Sequence, residues 1–147
     1  MPSLIDYVKQ EIGAPHFAIT LTLLPIQGAR REFTKRLDAE QALSWFHHLL
    51  NTRCFGHGHR RKKFELGFFA ALEGLSQYEE VHWHITVRLP HFLSRDRFLT
   101  AFEIARKRTR RLGYVSDIQP YFGDWIEYSL KSGPDSFCPQ FLRAGTP

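Results

Sequence analysis

The sequence predicts an α+β fold: an antiparallel sheet of about four to five strands, with helices packed on one face and the chemically active surface on the other. Three observations carry this. The stretch 81–89, VHWHITVRL, alternates side chains at the two-residue period of a strand with one greasy face. A second run, HFAITLTLL at 16–24, alternates in the same way. Two apolar stripes at helical spacing, one after Asp38 and one after Ser94, supply helices to cover one side of a sheet.

The elements follow in order. Ser3 caps a short helix to Ile12, with Asp6 three residues on and Gly13-Ala14-Pro15 as its stop; residues 1–15 read as a lid or tether. In 16–24, Phe17, Ile19, Leu21 and Leu23 share one face, and Ala18, Thr20 and Thr22 the other. Residues 25–36 hold Gly28 and a basic pair and suit a hairpin arm. Asp38 and Gln41 form a capping-box pattern, and Ala42, Trp45, Phe46, Leu49 and Leu50 make the helical stripe behind it. The glycine-rich, basic stretch 55–63 reads as a surface loop. Residues 65–74, ELGFFAALEG, form a strand, and a turn at 75–79 joins it to 81–89 as an antiparallel hairpin. Ser94 caps a helix running to Arg111, with Phe98, Ala101, Phe102 and Ala105 inward and Gly113 ending it. Residues 114–121 are strand-like up to Pro120. Asp124 opens a last short helix, with Glu127 three residues later, Tyr128 and Lys131 on one face and Gly133-Pro134 as the stop; 135–147 is a tail.

The 147 residues suit a single domain, 1–147, and 43% hydrophobic with 24% charged residues leaves no reason to expect disorder beyond the ends. Apolar runs fall short of the ~20 residues a membrane span needs, and the N-terminus has no basic-then-apolar signal. A cytoplasmic protein with no membrane partner is expected. Cys54 and Cys138 are too few for a disulfide framework. Cys54, His57 and His59 lack the fourth ligand a structural zinc site wants. The net charge of +5 is concentrated in Arg60, Arg61, Lys62 and Lys63 and in a cluster from Arg95 to Arg111 that includes Arg106 and Arg110. Such density points to phosphate, so these residues are candidate nucleic-acid contacts.

Parity places His82, His84, Thr86 and Arg88 on one strand face and Val81, Trp83, Ile85, Val87 and Leu89 on the other. Two imidazoles at this spacing can share one metal ion; equally, they can be two histidines on the open side of a sheet. Glu73, nine residues before His82, adds a carboxylate if it points the same way. That set would suit Mg²⁺ or Mn²⁺ and leave room for substrate oxygens; otherwise Glu73 is a polar strand end.

Three motifs in order give the chain a family likeness: FAITLTL at 17–23, HWH at 82–84 followed by ITV, and YSLK at 128–131, approached by DIQPYFGDWIE. In these it resembles the HUH endonuclease superfamily, specifically the replication-initiator proteins of rolling-circle plasmids and phages. The resemblance covers about residues 17–131. It implies that His82 and His84 bind a divalent ion with Glu73 as third ligand, and that Tyr128 is the nucleophile with Lys131 beside it. Tyr128 would attack a phosphodiester of single-stranded or hairpin origin DNA, leaving a 5′-phosphotyrosine and a 3′-hydroxyl. Tyr7, Tyr78, Tyr114 and Tyr121 lie outside the Tyr128 helix, so a single-tyrosine enzyme is expected, and two transfers per replication cycle would call on a second protomer. The chain stops soon after this helix, so unwinding would fall to a host helicase.

Other readings stay open. An HUH-type transposase or relaxase-like strand transferase would use the same residues. A basic single-stranded DNA-binding module with structural histidines needs only charge and aromatic rings. A two-histidine phosphoesterase would need a second His-x-Ser/Thr string beside His84-Ile85-Thr86, and no other histidine supplies one.

Overall fold

The chain has the expected α+β class, built on a four-stranded antiparallel sheet in the order β2-β3-β1-β4. The strands are β1 (Phe17–Leu23), β2 (Gly67–Glu73), β3 (His82–Arg88) and β4 (Leu112–Pro120). The helices are α1 (Leu4–Ile12), α2 (Arg36–Phe55), α3 (His57–Arg61), α4 (Arg95–Arg108) and α5 (Trp125–Ser129). The computed structural model describes residues 2–24, 36–75 and 81–147, apart from the side chains of 113–116. Of the expected arm at 25–36 and turn at 75–79, all but the end residues Arg36 and Leu75 lie outside the described residues.

The histidine strand β3 is central, paired with β2 on one side and β1 on the other. Its parity is as expected: Trp83, Ile85 and Val87 are fully buried in the core with Phe46, Phe98 and Phe102 of α2 and α4. Each such burial contributes about 1.5–3 kcal/mol. A one-residue slip would turn all three away from α2 and α4 and drive the imidazoles into that apolar core, so packing and desolvation together hold the imidazoles on the opposite face. The Trp83 indole donates to the Ala39 carbonyl of α2 at 3.2 Å and fixes the strand to that layer.

That opposite face is not bare. Val8 and Ile12 of α1 and Ile126 of α5 join Phe69, Ala71 and Leu130 in a second core on it. The segment expected as a lid or tether is therefore structural: its Ser3–Asp6 capping box forms, and Val8 and Ile12 are fully buried. The physical reason lies in β2, whose residues are buried along its whole length, so both of its faces need cover.

Four further local expectations change. The loop expected at 55–63 contains α3. Trp45, expected on the inner stripe of α2, is 54% exposed, while Ala42, Phe46 and Leu50 are buried. α4 stops at Arg108, where the Thr109 hydroxyl bonds back to the Ala105 carbonyl at 2.9 Å, so Arg110 and Arg111 lead into β4. The tail expected at 135–147 packs along β2 through the antiparallel bridges Phe68–Arg143 and Ala71–Phe137 and covers that sheet edge. Gly67 permits the crossing, since a Cβ there would meet the Ala144 carbonyl oxygen at 3.1 Å. Among the described residues no helix is long and apolar enough to cross a membrane.

Candidate metal centre

The β2–β3 register sets Glu73 directly opposite His82, and strand parity sets His84 on the same face. Glu73 Oε2 lies 3.4 Å from His82 Nε2 and 3.2 Å from His84 Nε2, and the two Nε2 atoms are 3.2 Å apart. Among the described residues this is the one cluster of His, Cys, Asp or Glu whose ligand atoms gather closely enough to hold a metal ion. Two ligands bonded at ~2.1 Å to one ion stand ~3.0 Å apart in octahedral and ~3.4 Å apart in tetrahedral geometry. The three observed separations fall within that interval. A single proton on either nitrogen could satisfy only one of these contacts, whereas a cation satisfies three converging lone pairs together. The donor set, two imidazoles and a carboxylate, fits a divalent ion.

Burial shapes the ligands. Glu73 is 8% and His84 4% exposed. Desolvation pushes the His84 imidazole below its ordinary pKa, against the opposing pull of Glu73, which favours the neutral form that can bind a metal. The Ser132 hydroxyl donates to the other carboxylate oxygen, Oε1, at 3.2 Å and so leaves Oε2 turned toward the imidazoles.

Tyr128 and Lys131 meet this cluster. The Tyr128 ring is 5.3 Å from the His84 ring and the residue is 47% exposed. α5 is short, so Lys131 lies beyond its end, yet the Lys131 ammonium sits 3.8 Å from the Tyr128 ring centroid and 3.7 Å from Glu73 Oε2. The Tyr128 phenol, with Glu73 behind it, holds the Lys131 pKa above its ordinary value. An exposed phenol, a cation and a ligand set thus share one surface.

No family model, curated protein or solved structure matches the chain.

Trp125 is the residue that sequence reasoning missed. Its indole donates to the Ile85 carbonyl of β3 at 3.0 Å, its ring stands edge-on to His84 at 5.1 Å, and it stacks with Tyr128 at 5.6 Å. One hydrogen bond therefore ties the tyrosine helix to the histidine strand. Its position three residues before Tyr128, on the same helical face, was the available signal. Ser132 was also missed and carried no signal at all. An ion pair between Lys9 and Glu127 adds a link from α1 to α5.

The basic residues divide. Arg60 and Arg61 end α3, and Lys62 and Lys63 lead toward the start of β2, whereas Glu73 closes that strand, about 20 Å further along. The structure does not bring these four to the triad. Arg106 and Arg110 belong to the other end of the sheet: Leu23 bonds Val81, and Leu24 bonds Arg111, so the end of α4 comes to the His82 end of β3. Arg106 is there paired with Glu103 at 3.0 Å.

Proposed function

We propose that the protein nicks and rejoins single-stranded DNA through a covalent link to Tyr128, as the HUH endonucleases do. The observation that carries this is the exposed Tyr128 phenol beside His84, with the Lys131 ammonium between the phenol and Glu73. Glu73, His82 and His84 would hold the divalent ion, and two imidazoles favour Mn²⁺ over Mg²⁺, which takes oxygen ligands. When bound, such an ion neutralises charge on a non-bridging phosphate oxygen and makes phosphorus more electrophilic.

The chain's own residues do the rest. Tyr128 Oη loses its proton to solvent and forms a bond to phosphorus. The bond from phosphorus to the 3′ oxygen breaks, and that oxygen takes up a proton. One phosphodiester replaces another, so the 5′-phosphotyrosine keeps the bond energy and a 3′-hydroxyl can reverse the step. Lys131 places positive charge beside both the phenol and the incoming phosphate. Trp125 keeps the tyrosine helix at a fixed distance from β3. With one tyrosine beside the triad among the described residues, the strand exchange that initiates rolling-circle replication of a plasmid or phage would draw on a second protomer; a transposase or relaxase-like role would use the same step.

The test is incubation with single-stranded and hairpin oligonucleotides in Mn²⁺ and in chelator, with both new ends mapped. A free 3′-hydroxyl and a protein-linked 5′ end, lost in chelator, support the proposal. A binding module without chemistry is favoured by one observation, the distance of the α3 cations from the triad, and would shift the oligonucleotides without cutting them.

A further inference from the structure

The cations at 60–63 sit among rings that form a surface of their own. Trp45 of α2 is 54% exposed, its ring is 5.9 Å from that of His48, and the His48 ring is 6.0 Å from that of His59. His59 is fixed by an Nδ1–H that donates to the Phe64 carbonyl at 2.7 Å. Gly58 lies against the Phe64 ring so closely that a Cβ there would come within 2.8 Å of it. Lys63 takes a left-handed φ of 56°, alone among the described non-glycine residues. That bend returns the Phe64 N–H to the Gly58 carbonyl at 3.1 Å. Phe64 then meets the half-exposed Phe92 at 5.0 Å, with the Lys62 ammonium 5.8 Å from the Phe64 ring centroid. A groove of about 610 Å³ runs through this surface, lined by His48, Thr52, Gly56, His57, His59 and Arg60.

Two features identify the kind of partner. The charge is in excess, since no acidic residue occurs between Asn51 and Phe64, four cations are consecutive, and Glu65, next along the chain, is paired with Arg143 at 3.1 Å. Trp45, His48 and Phe92 are exposed, His59 and Phe64 are half-buried, and the His59 ring is fixed by its bond to a backbone carbonyl, which suits flat partners. A polyanion with flat apolar faces is single-stranded nucleic acid, whose bases stack on aromatic side chains while its phosphates follow the cations. An acidic peptide would match the charge and leave the rings unused.

We infer that the α2–α3 surface, through Trp45, His48, His59, Phe92 and the cations at 60–63, binds single-stranded nucleic acid at a site separate from the Glu73–His82–His84 cluster. The inference goes beyond the nicking reaction and does not depend on it. The cations at 60–63 precede the start of β2, about 20 Å along that strand from Glu73, and α2, which carries Trp45 and His48, packs on the sheet face opposite the histidines. A strand held here is therefore a different segment from any at the triad.

The test is fluorescence anisotropy with a labelled oligothymidine of roughly twenty nucleotides, in chelator so that metal-bridged contacts are absent. Replacing Arg60, Arg61, Lys62 and Lys63 together by alanine should weaken binding at least about tenfold and flatten the salt slope by up to about 3, from ~0.7 per phosphate contact. Trp45→Ala and Phe92→Ala should each weaken it about fivefold or more with the salt slope unchanged. All six side chains are exposed, and matched melting curves establish that the variants fold. Wild-type affinity in the charge variant overturns the site. Ring variants that bind as wild type, or duplex of equal length binding as tightly as single strand, overturn the stacking assignment. Failure to nick DNA would alter none of these results, so the two readings fail separately.

Discussion

Glu73 and His82 are register partners across the β2–β3 ladder, with Oε2 and Nε2 3.4 Å apart, and the same register delivers His84 two residues further on. One hairpin therefore assembles the whole ligand set, and metal binding should stabilise that hairpin. With Mn²⁺ at about a hundred times its dissociation constant, unfolding should cost about 2.7 kcal/mol more. Thermal melts with and without Mn²⁺ measure this, and in Glu73→Gln and His84→Ala the increment should largely vanish.

Trp125 Nε1 bonded to the Ile85 carbonyl should matter to chemistry more than to metal binding. Trp125→Phe keeps an aromatic ring and removes the donor, costing about 1–2 kcal/mol of stability. The Mn²⁺ affinity should stay near wild type while the rate of adduct formation drops at least about tenfold, because a small misplacement of the nucleophile is costly. Calorimetry and single-turnover kinetics on the same variant separate the two.

Ile12 is fully buried under the second core, so α1 should behave as part of the folded unit. Ile12→Ala should lower the unfolding free energy by about 2–4 kcal/mol in urea titrations. A change under about 0.5 kcal/mol would return α1 to the role of a loose tether.

His47 gives the protein an acid sensitivity. Burial, chiefly, with Arg143, His59 and His48 adding to it, pushes its pKa down to about 4, and its Nε2 stands 3.2 Å from the Asn51 amide nitrogen, whose N–H it accepts when neutral. Between the ordinary value near 6.5 and this one, the unfolded chain binds the proton and the folded chain does not. The contribution is thus complete above about pH 6.5 and is lost progressively toward pH 4, by up to ~3 kcal/mol. Urea unfolding across this range should show the decline, and His47→Gln should make it shallower.

Much of the fold was legible because parity and capping are local. The alternation of β3 fixed which face carries the imidazoles, and Ser3 and Ser94 marked two helix starts that form. The second core was harder to see, although the unbroken apolar run of β2 carried the information that both its faces are covered. Trp45 followed the helical stripe and still points outward, since Ala42, Phe46 and Leu50 already fill the contact with the sheet. At the site, the Glu73 contact followed from the hairpin, whose register needed only the correct pairing offset. The Trp125 bond to Ile85 and the Ser132 bond to Glu73 join positions 40 and 59 residues apart, and no local pattern encodes them.

The most direct measurement is intact-protein mass spectrometry after incubation with a cleavable single-stranded oligonucleotide and Mn²⁺, comparing wild type with Tyr128→Phe. Wild type should gain the mass of the 5′-phosphorylated product fragment less one water, mapped to Tyr128, and Tyr128→Phe should gain none. An adduct of the same mass on Tyr128→Phe, or oligonucleotide cleaved by wild type with no adduct at any time, would contradict the assignment of Tyr128 as the nucleophile.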